Sequence, residues 1–284
     1  MNPATPSSID RLIDLALRED IGRGDITTAI FVPKHAVSRA SIVIHERATV
    51  AGFEVVKRVF QKLDKNVRVR SFYKDGDIVA QGSKLLEVRG KTRALLTGER
   101  VALNFLSHLS AIATNTTAFI QKTAPLRVEI VDTRKTTPGF RLLEKQAIRS
   151  AKGVNHRLNL NDMVLIKDNH HLISHLSITD MIKKAKHSVK RPVGIEVENL
   201  SDFKKAWAAR PYLVMLDNMR IPEIRQAVLF AQQDRSRVKP ILEVSGGITL
   251  GNIRAVTKTG IKRISIGALT HSKKAVNVSM EIKT

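Results

Sequence analysis

From about residue 127 onward, short apolar runs alternate with helical segments, and this alternation constrains the fold more than any other feature of the chain. The runs fall at 127–132 (RVEIVD), 163–167 (MVLIK), 192–198 (PVGIEVE), 212–217 (YLVMLD), 240–245 (PILEVS) and 261–267 (IKRISIG). Between them, helices are predicted over 138–151, 178–189, 201–209, 222–232 and 249–259. Ser201 and Thr249 are expected N-caps, and Pro138 and Pro222 suit a first helical turn. Repeated βα units of this kind build a parallel sheet, either open or closed into a barrel. The strand ends favour the barrel, because nearly every run finishes in a chemically capable residue: Asp132, Lys167, Glu196 to Glu198, Asp217, Ser245 and Gly267. In a β/α barrel such ends converge on one mouth, whereas an open sheet concentrates function at a single switch point. The six runs fall short of a full barrel's eight strands, so the predicted fold is α/β with an incomplete (β/α) barrel.

The first third has a different texture. Residues 9–20 carry apolar positions at helical spacing, ended by Gly22 and Gly24, and 25–28 are predicted as a turn. A β-rich stretch over 39–50 precedes a helix over 53–63; strands follow at 67–72 and 84–89, separated by a turn at Asp75-Gly76. A long helix from Thr92 to Lys122 places Leu95, Leu103, Leu106, Leu109 and Ile112 on an apolar stripe. This is a mixed α+β unit.

Composition narrows the function classes. The 284 residues hold 48 Lys and Arg against 26 Asp and Glu, a net charge of +22. No apolar run approaches the roughly 18 residues that would span a bilayer, so no membrane association is expected. The start, MNPATPSSIDR, lacks the basic-then-apolar pattern of a secretory signal, and with no cysteine in the chain a cytoplasmic location is expected. The charge fits either nucleic-acid binding or a cationic pocket for a polyanionic small molecule. Because the basic residues are scattered along the chain and aromatics are only 4%, stacking platforms are poorly supplied and no nucleic-acid partner is expected.

Four clusters carry candidate chemistry. DTRKTTPG (132–139) sets Arg134, a planar fork for carboxylate or phosphate, beside Lys135, a compact point charge. GVNHRLNLNDMVLIKDNH (153–170) holds His156 and Arg157, then Lys167 on the same strand face as Met163 and Leu165, where a cation is costly unless an anion meets it. Glu196 and Glu198 alternate on one face, and Asp217 ends the next strand; carboxylates there suit Mg²⁺ or ribose hydroxyls, or simply pair with nearby cations. SGGIT (245–249) and SIGALTH (265–271) place small residues between a strand and a helix start, as a phosphate site requires. Glu99 and Arg100 lie within the long helix, where spacing alone gives them no site.

Together, GDITT (24–28), GERVALNFL (98–106), DTRKTTPG, GVNHR (153–157), LIKDNH (165–170), IEVE (195–198), LDN (216–218), SGGIT and GALTHS (267–272) resemble the quinolinate phosphoribosyltransferase family, in family order over almost the whole chain. The resemblance implies an N-terminal α/β sandwich domain at 1–112, joined by the tail 273–284, and an incomplete β/α barrel catalytic domain at 113–272. It implies conversion of quinolinate and 5-phosphoribosyl 1-pyrophosphate to nicotinate mononucleotide, CO₂ and pyrophosphate, in de novo NAD biosynthesis. It also implies Mg²⁺ and a homodimer that shares its active sites between subunits, with hexamers left open. Carried over by matched motif, Arg100 would reach the neighbouring subunit's quinolinate, and Arg134, His156 and Arg157 would hold its carboxylates, with Lys135 and Lys167 nearby. Glu196 and Asp217 would serve ribose and metal, though alternation gives Glu198 the same face as Glu196. Ser245, Gly246, Gly247, Gly267, Ala268 and His271 would cradle the 5′-phosphate. The rival readings are a same-fold paralogue of the molybdenum-transport-associated type, a phosphoribosyltransferase that leaves the carboxylate in place, and a basic nucleic-acid-binding protein.

Overall fold

A computed structural model describes residues 6–283. Positions 1–5 and 284, at the two ends of the expected N-terminal domain with its tail, lie outside the described residues. By contacts the chain forms two units: the first runs through Thr117 and includes Thr136–Lys152 and the stretch from Ser272, and the second is Ala118–Lys135 with Gly153–His271. The segment 136–152, placed by sequence with the barrel, therefore clusters with the first unit.

The first unit opens with α1 (Pro6–Ile21) and α2 (Ile26–Phe31). The expected turn at 25–28 is instead the start of α2, because Asp25 caps it by accepting the Thr28 N–H at 2.9 Å. The β-rich stretch 39–50 resolves into β1 (Val37–Ile44) and β2 (Ala48–Thr49). Then come α3 (Phe53–Leu63), β3 (Arg68–Ser71), β4 (Ile78–Val79), β5 (Lys84–Lys91) and α4 (Thr92–Thr123). The division between units falls inside α4. The tail contributes a strand, Val278–Lys283, which is the last in the chain. It pairs antiparallel with β1, giving a four-stranded antiparallel sheet in the order tail strand, β1, β5, β3; β2 and β4 form a separate ribbon. Strand alternation sends Ala40, Ile42, Leu86 and Val88 into the core, where each is fully buried. There they belong to a core that also holds Val56, Val59 and Phe60 of α3 and Leu95 and Leu106 of α4. Gly98 is needed where α4 meets α3, since a Cβ there would stand 2.8 Å from the Leu63 side chain.

The second unit contains β6 (Glu129–Val131), β7 (Val164–Ile166), α6 (Asp168–Ser174), α7 (Ile178–Ser188), β8 (Val193–Val197), α8 (Leu200–Ala208), β9 (Leu213–Asp217), α9 (Ile221–Gln233), β10 (Ile241–Ser245), α10 (Ile253–Thr257), β11 (Arg263–Ser265) and α11 (Ala268–His271); α5 (Arg141–Ser150) belongs to the first unit. The six strands are parallel in the order β6-β11-β10-β9-β8-β7. β6 and β7 are not paired with one another, so the barrel is incomplete; the chain is thus an α/β protein made of an N-terminal α+β sandwich and an incomplete barrel. Met163, Leu165, Leu213 and Met215, with Ile241 against them, form an apolar plug on one face of these strands. The same alternation then places Lys167, Asp217 and Ser245 beyond that plug, at the strand ends. Three local expectations are corrected. Asn199, not Ser201, caps α8, its side chain accepting the Asp202 N–H; helix α5 begins at Arg141, leaving Pro138 in the preceding loop; and α10 begins at Ile253 with Asn252, not Thr249, at its N-cap. The sequence predicted no helix at α6. That helix buries no residue, so it leaves no apolar stripe to read.

Candidate active site

The loop after β6 and the segment after 153 are stitched together by backbone. Val131 bridges Val154, the Asp132 N–H donates to Val154 O at 3.0 Å, and the fully buried Asp132 carboxylate accepts the His156 N–H at 2.8 Å. Asp132 is thus a structural acceptor that fixes where His156 and Arg157 leave the backbone. The Arg157 N–H donates to His156 Nδ1 at 2.8 Å, which places the proton of a neutral ring on Nε2. Arg157 itself donates from one guanidinium nitrogen to Met163 O at 2.9 Å. Burial lowers the Arg157 pKa, and the nearby charge of Arg134 lowers it further against the pull of Glu196 and Asp162. The repulsion between these two like charges is one that a bound anion would relieve.

At the end of β7, Lys167 meets its anion. Its Nζ donates to Glu196 Oε1 at 2.6 Å, with Glu196 nearly buried on β8. Lys167, Glu196, Glu198 and Asp217 all line one cavity of about 350 Å³, together with Asp168 and Asp202. Asp217 sits in register with Ser245 of β10, so the acidic strand end and the first glycine turn are neighbours. In that turn Gly246 has φ +89°, and a Cβ on it would stand 2.2 Å from Asn218 Oδ1. Only glycine fits there. Asn218 donates its N–H to Ser245 O at 3.0 Å, and Asn252 closes the turn by donating to Gly247 O at 2.8 Å.

The last strand end gathers the remaining candidates. A Cβ on Gly267 would lie 3.0 Å from both Lys135 Cδ and His271 Nε2, and the Thr270 hydroxyl donates to Lys135 O at 2.6 Å. Lys135, Gly267, Ala268 and His271 are thus brought to one place, and Arg100 lies exposed on α4 in the first unit.

One charged group escaped the sequence reading. Glu243, on β10 two residues before Ser245, is fully buried. Its Oε2 accepts from Arg263 Nε at 2.6 Å, Arg263 also donates to Glu129 at 2.7 Å, and Glu243 Oε1 lies 3.8 Å from His156 Nε2. Burial pushes the Glu243 carboxyl up, against the opposing charge of Arg263. The signal was available: PILEVS carries the same two-residue spacing that singled out Glu196 and Glu198.

Among the described residues no group of three or more His, Asp or Glu could by itself cage a metal ion. Mg²⁺ commonly uses one or two carboxylates and completes its shell with water and substrate phosphate, so Glu196 and Asp217 on one cavity wall fit that ion. No helix among the described residues is long and apolar enough to cross a membrane.

Comparison with known proteins agrees with this geometry. Residues 25–110 match the family model "Quinolinate phosphoribosyl transferase, N-terminal domain", and residues 112–281 match "Quinolinate phosphoribosyl transferase, C-terminal domain". The chain is 39% identical over 276 residues to the probable carboxylating nicotinate-nucleotide pyrophosphorylase of Bacillus subtilis, covering 96% of this chain and 93% of that protein. It is 36% identical to the decarboxylating quinolinate phosphoribosyltransferase 1 of Nicotiana glauca, covering 99% and 85%. The solved nicotinate-nucleotide pyrophosphorylase of Francisella tularensis superposes with a TM-score of 0.91 at 36% identity, covering 99% and 98%. With both halves matched in order and the strand-end charges gathered as described, the chain belongs to the quinolinate phosphoribosyltransferase family.

Proposed function

We propose that this chain transfers the 5-phosphoribosyl group of phosphoribosyl pyrophosphate to the ring nitrogen of quinolinate and releases the 2-carboxylate as CO₂. In the reaction the ribose C1–oxygen bond to pyrophosphate breaks as the C1–nitrogen bond forms. The C2–carboxylate bond then breaks, its electron pair stays on a ring carbon stabilised by the adjacent positive nitrogen, and a proton replaces the carboxylate. The observation that carries this reading is the gathering of charged groups at the strand ends: Lys167 paired to Glu196 on a cavity wall shared with Asp217, Lys135 against Gly267 and His271, and Arg157 within reach of the Arg134 charge. A dianionic ring needs such dense cationic compensation.

In this reading Arg134, His156 and Arg157 hold the quinolinate carboxylates, and Lys167 and Lys135 complete the positive field. Fixing the ring nitrogen against the sugar carbon removes most of the entropic cost of a bimolecular step. Glu196 and Asp217 hold the ribose and Mg²⁺; when bound, that ion supplies charge neutralisation for the departing pyrophosphate. The glycine turns at 245–247 and 267–268, with His271, receive the 5′-phosphate. Arg100 serves the site of a second subunit in a homodimer. The exposed apolar residues Ile26, Ile30 and Phe31 of α2 support an association surface on the first unit. The absence of cysteine supports a cytoplasmic location.

The test is release of labelled CO₂ from carboxyl-labelled quinolinate in the presence of phosphoribosyl pyrophosphate. Turnover of nicotinate with no CO₂ from quinolinate would assign the chain to the non-decarboxylating reaction instead. Mixing Arg100→Ala and Lys135→Ala chains should restore part of the activity if sites are shared. Mixed dimers that form and stay inactive would remove the shared-site assignment.

A further inference from the structure

The reaction proposed above employs a handful of the chain's cations and leaves most of the +22 charge without a role. Part of that excess is not scattered in space. At one level of the first unit's antiparallel sheet, Lys283 pairs with Arg39, Arg39 with Arg89, and Arg89 with Arg68. One cation from each of the four strands thus lies directly opposite the next, in a line that crosses the sheet. Their inward neighbours Ala40 and Val88 are fully buried, and all four cations are exposed on the opposite face. Two residues along the strands, the next level holds Glu281, Ser41, Glu87 and Arg70.

Like charges directly opposite each other on neighbouring strands are destabilising. Local acids relieve little of this. Glu87 serves Lys84 at 2.6 Å and Arg39 at 3.6 Å. Among the described residues Arg68, Arg89 and Lys283 have no carboxylate within 4.0 Å. With strands about 4.8 Å apart, the row spans roughly 14 Å at even spacing. Just past the end of β3, two levels along the strand from Arg68 (roughly 13 Å), Phe72 is 41% exposed, with the Arg70 guanidinium 5.2 Å and the Lys84 ammonium 4.9 Å from its ring centre.

We propose that this open sheet face docks single-stranded nucleic acid, with phosphates laid along Lys283, Arg39, Arg89 and Arg68 and a base against Phe72. A line of evenly spaced cations complements a chain that carries one charge per repeat, and an exposed aromatic within a cationic field is what a nucleobase stacks on. The same face of a second copy is a poor occupant, since it would set one row of cations against another. The sequence-based expectation of no nucleic-acid partner rested on the scatter of basic residues along the chain and on its few aromatics, and the pairing register gathers four of those cations on the face that also carries Phe72. The proposal stands apart from the phosphoribosyl-transfer reading, as it uses none of the residues assigned to that site.

The experiment is fluorescence anisotropy of a labelled 12-mer oligouridylate with the full-length protein across 25–300 mM salt. With four phosphates neutralised, log K should fall against log salt with a slope of about −3. The double variant R68E/R89E should bind at least about tenfold more weakly at 50 mM salt, with the slope flattened by about 1.4. Phe72→Ala should weaken binding about fivefold at unchanged slope. CO₂ release from quinolinate, measured on the same preparations, should be unaltered in each variant; this reports folding and keeps failure here distinct from failure of the enzymatic assignment. The neutral variant R68Q/R89Q gives a second check should charge reversal impair folding, and it should show about the same flattening of the slope. Absence of binding at 25 mM salt, equal binding by R68E/R89E and wild type, or equal affinity for poly-glutamate would each overturn the proposal.

Discussion

The two units handle positive charge in opposite ways. Along the barrel strands, Arg263 and Lys167 are each met by carboxylates on neighbouring strands: Arg263 lies between Glu243 and Glu129, and Lys167 sits on Glu196. On the antiparallel sheet, four cations face one another across four strands, exposed and largely without acids. The difference follows from solvation. A charge withdrawn from water must be paired, while water screens like charges at a surface and keeps their repulsion small. Compensated charge therefore marks where the barrel holds its own groups in place, and uncompensated charge marks where something outside the chain can bind.

The first way to break this comparison is to remove a buried partner. Glu243→Ala should cost about 3 kcal/mol in urea unfolding, the low end for a broken buried ion pair because Glu129 still compensates Arg263. The same truncation at exposed Arg68 should change stability by less than about 0.5 kcal/mol. Equal effects at the two positions would erase the distinction between the regions.

A second, smaller effect belongs to a fully buried acid of the first unit that faces a histidine. Glu144 accepts from His108 Nε2 at 2.8 Å and from the Thr137 N–H at 3.3 Å. Burial alone would raise its pKa, but these hydrogen bonds, with the charges of His108 and Lys273, hold it below the ordinary value of 4.5. In the window between 4.5 and that lowered value the unfolded chain binds more protons, so stability should fall as pH drops through it and be fully present above it. Glu144→Gln should lose about 1.5–3 kcal/mol at pH 7 and flatten the acid limb of the urea midpoint against pH. An acid limb unchanged by the substitution would show that Glu144 does not titrate there.

Gly246→Ala sharpens the contrast at the site itself. The backbone at φ +89° disfavours any side chain, and the added methyl would meet Asn218 Oδ1 at 2.2 Å. The strain, about 1–3 kcal/mol, should fall on the turn assigned to the phosphate. KM for phosphoribosyl pyrophosphate should rise about tenfold or more, and KM for quinolinate should move far less. Equal rises in both would point to a general distortion of the strand ends.

These contrasts were unevenly legible in the sequence. Helix α3 was read to the residue, because Phe53, Val56 and Phe60 mark a clean apolar stripe. Helices α2 and α6 were missed: α2 exposes Ile26, Ile30 and Phe31 and α6 exposes Leu172 and Ile173, so neither shows the periodicity of a buried face. The site motifs were visible because each is contiguous, as in DTRK or SGGIT. Asn218 could be recognised only as part of LDN; its contact with the Gly246 turn depends on β9 and β10 lying in register. The cation row was invisible for the same reason, since residues 39, 68, 89 and 283 meet only through strand pairing.

The smallest expected effect is a gain. Arg89 occupies the middle of the row, with Arg39 and Arg68 directly opposite on its two flanking strands. Replacing it by Gln removes two unfavourable neighbours and no ion pair among the described residues. Arg89→Gln should therefore stabilise the protein by about 0.2–1 kcal/mol at low salt. Salt separates this from a change in strand propensity. At about 1 M ionic strength the screening length falls to about 3 Å, below the strand spacing, so the repulsion is lost and wild type and variant should converge. A gain that persists at high salt would mean that side-chain packing, and not charge, sets the energy of this face.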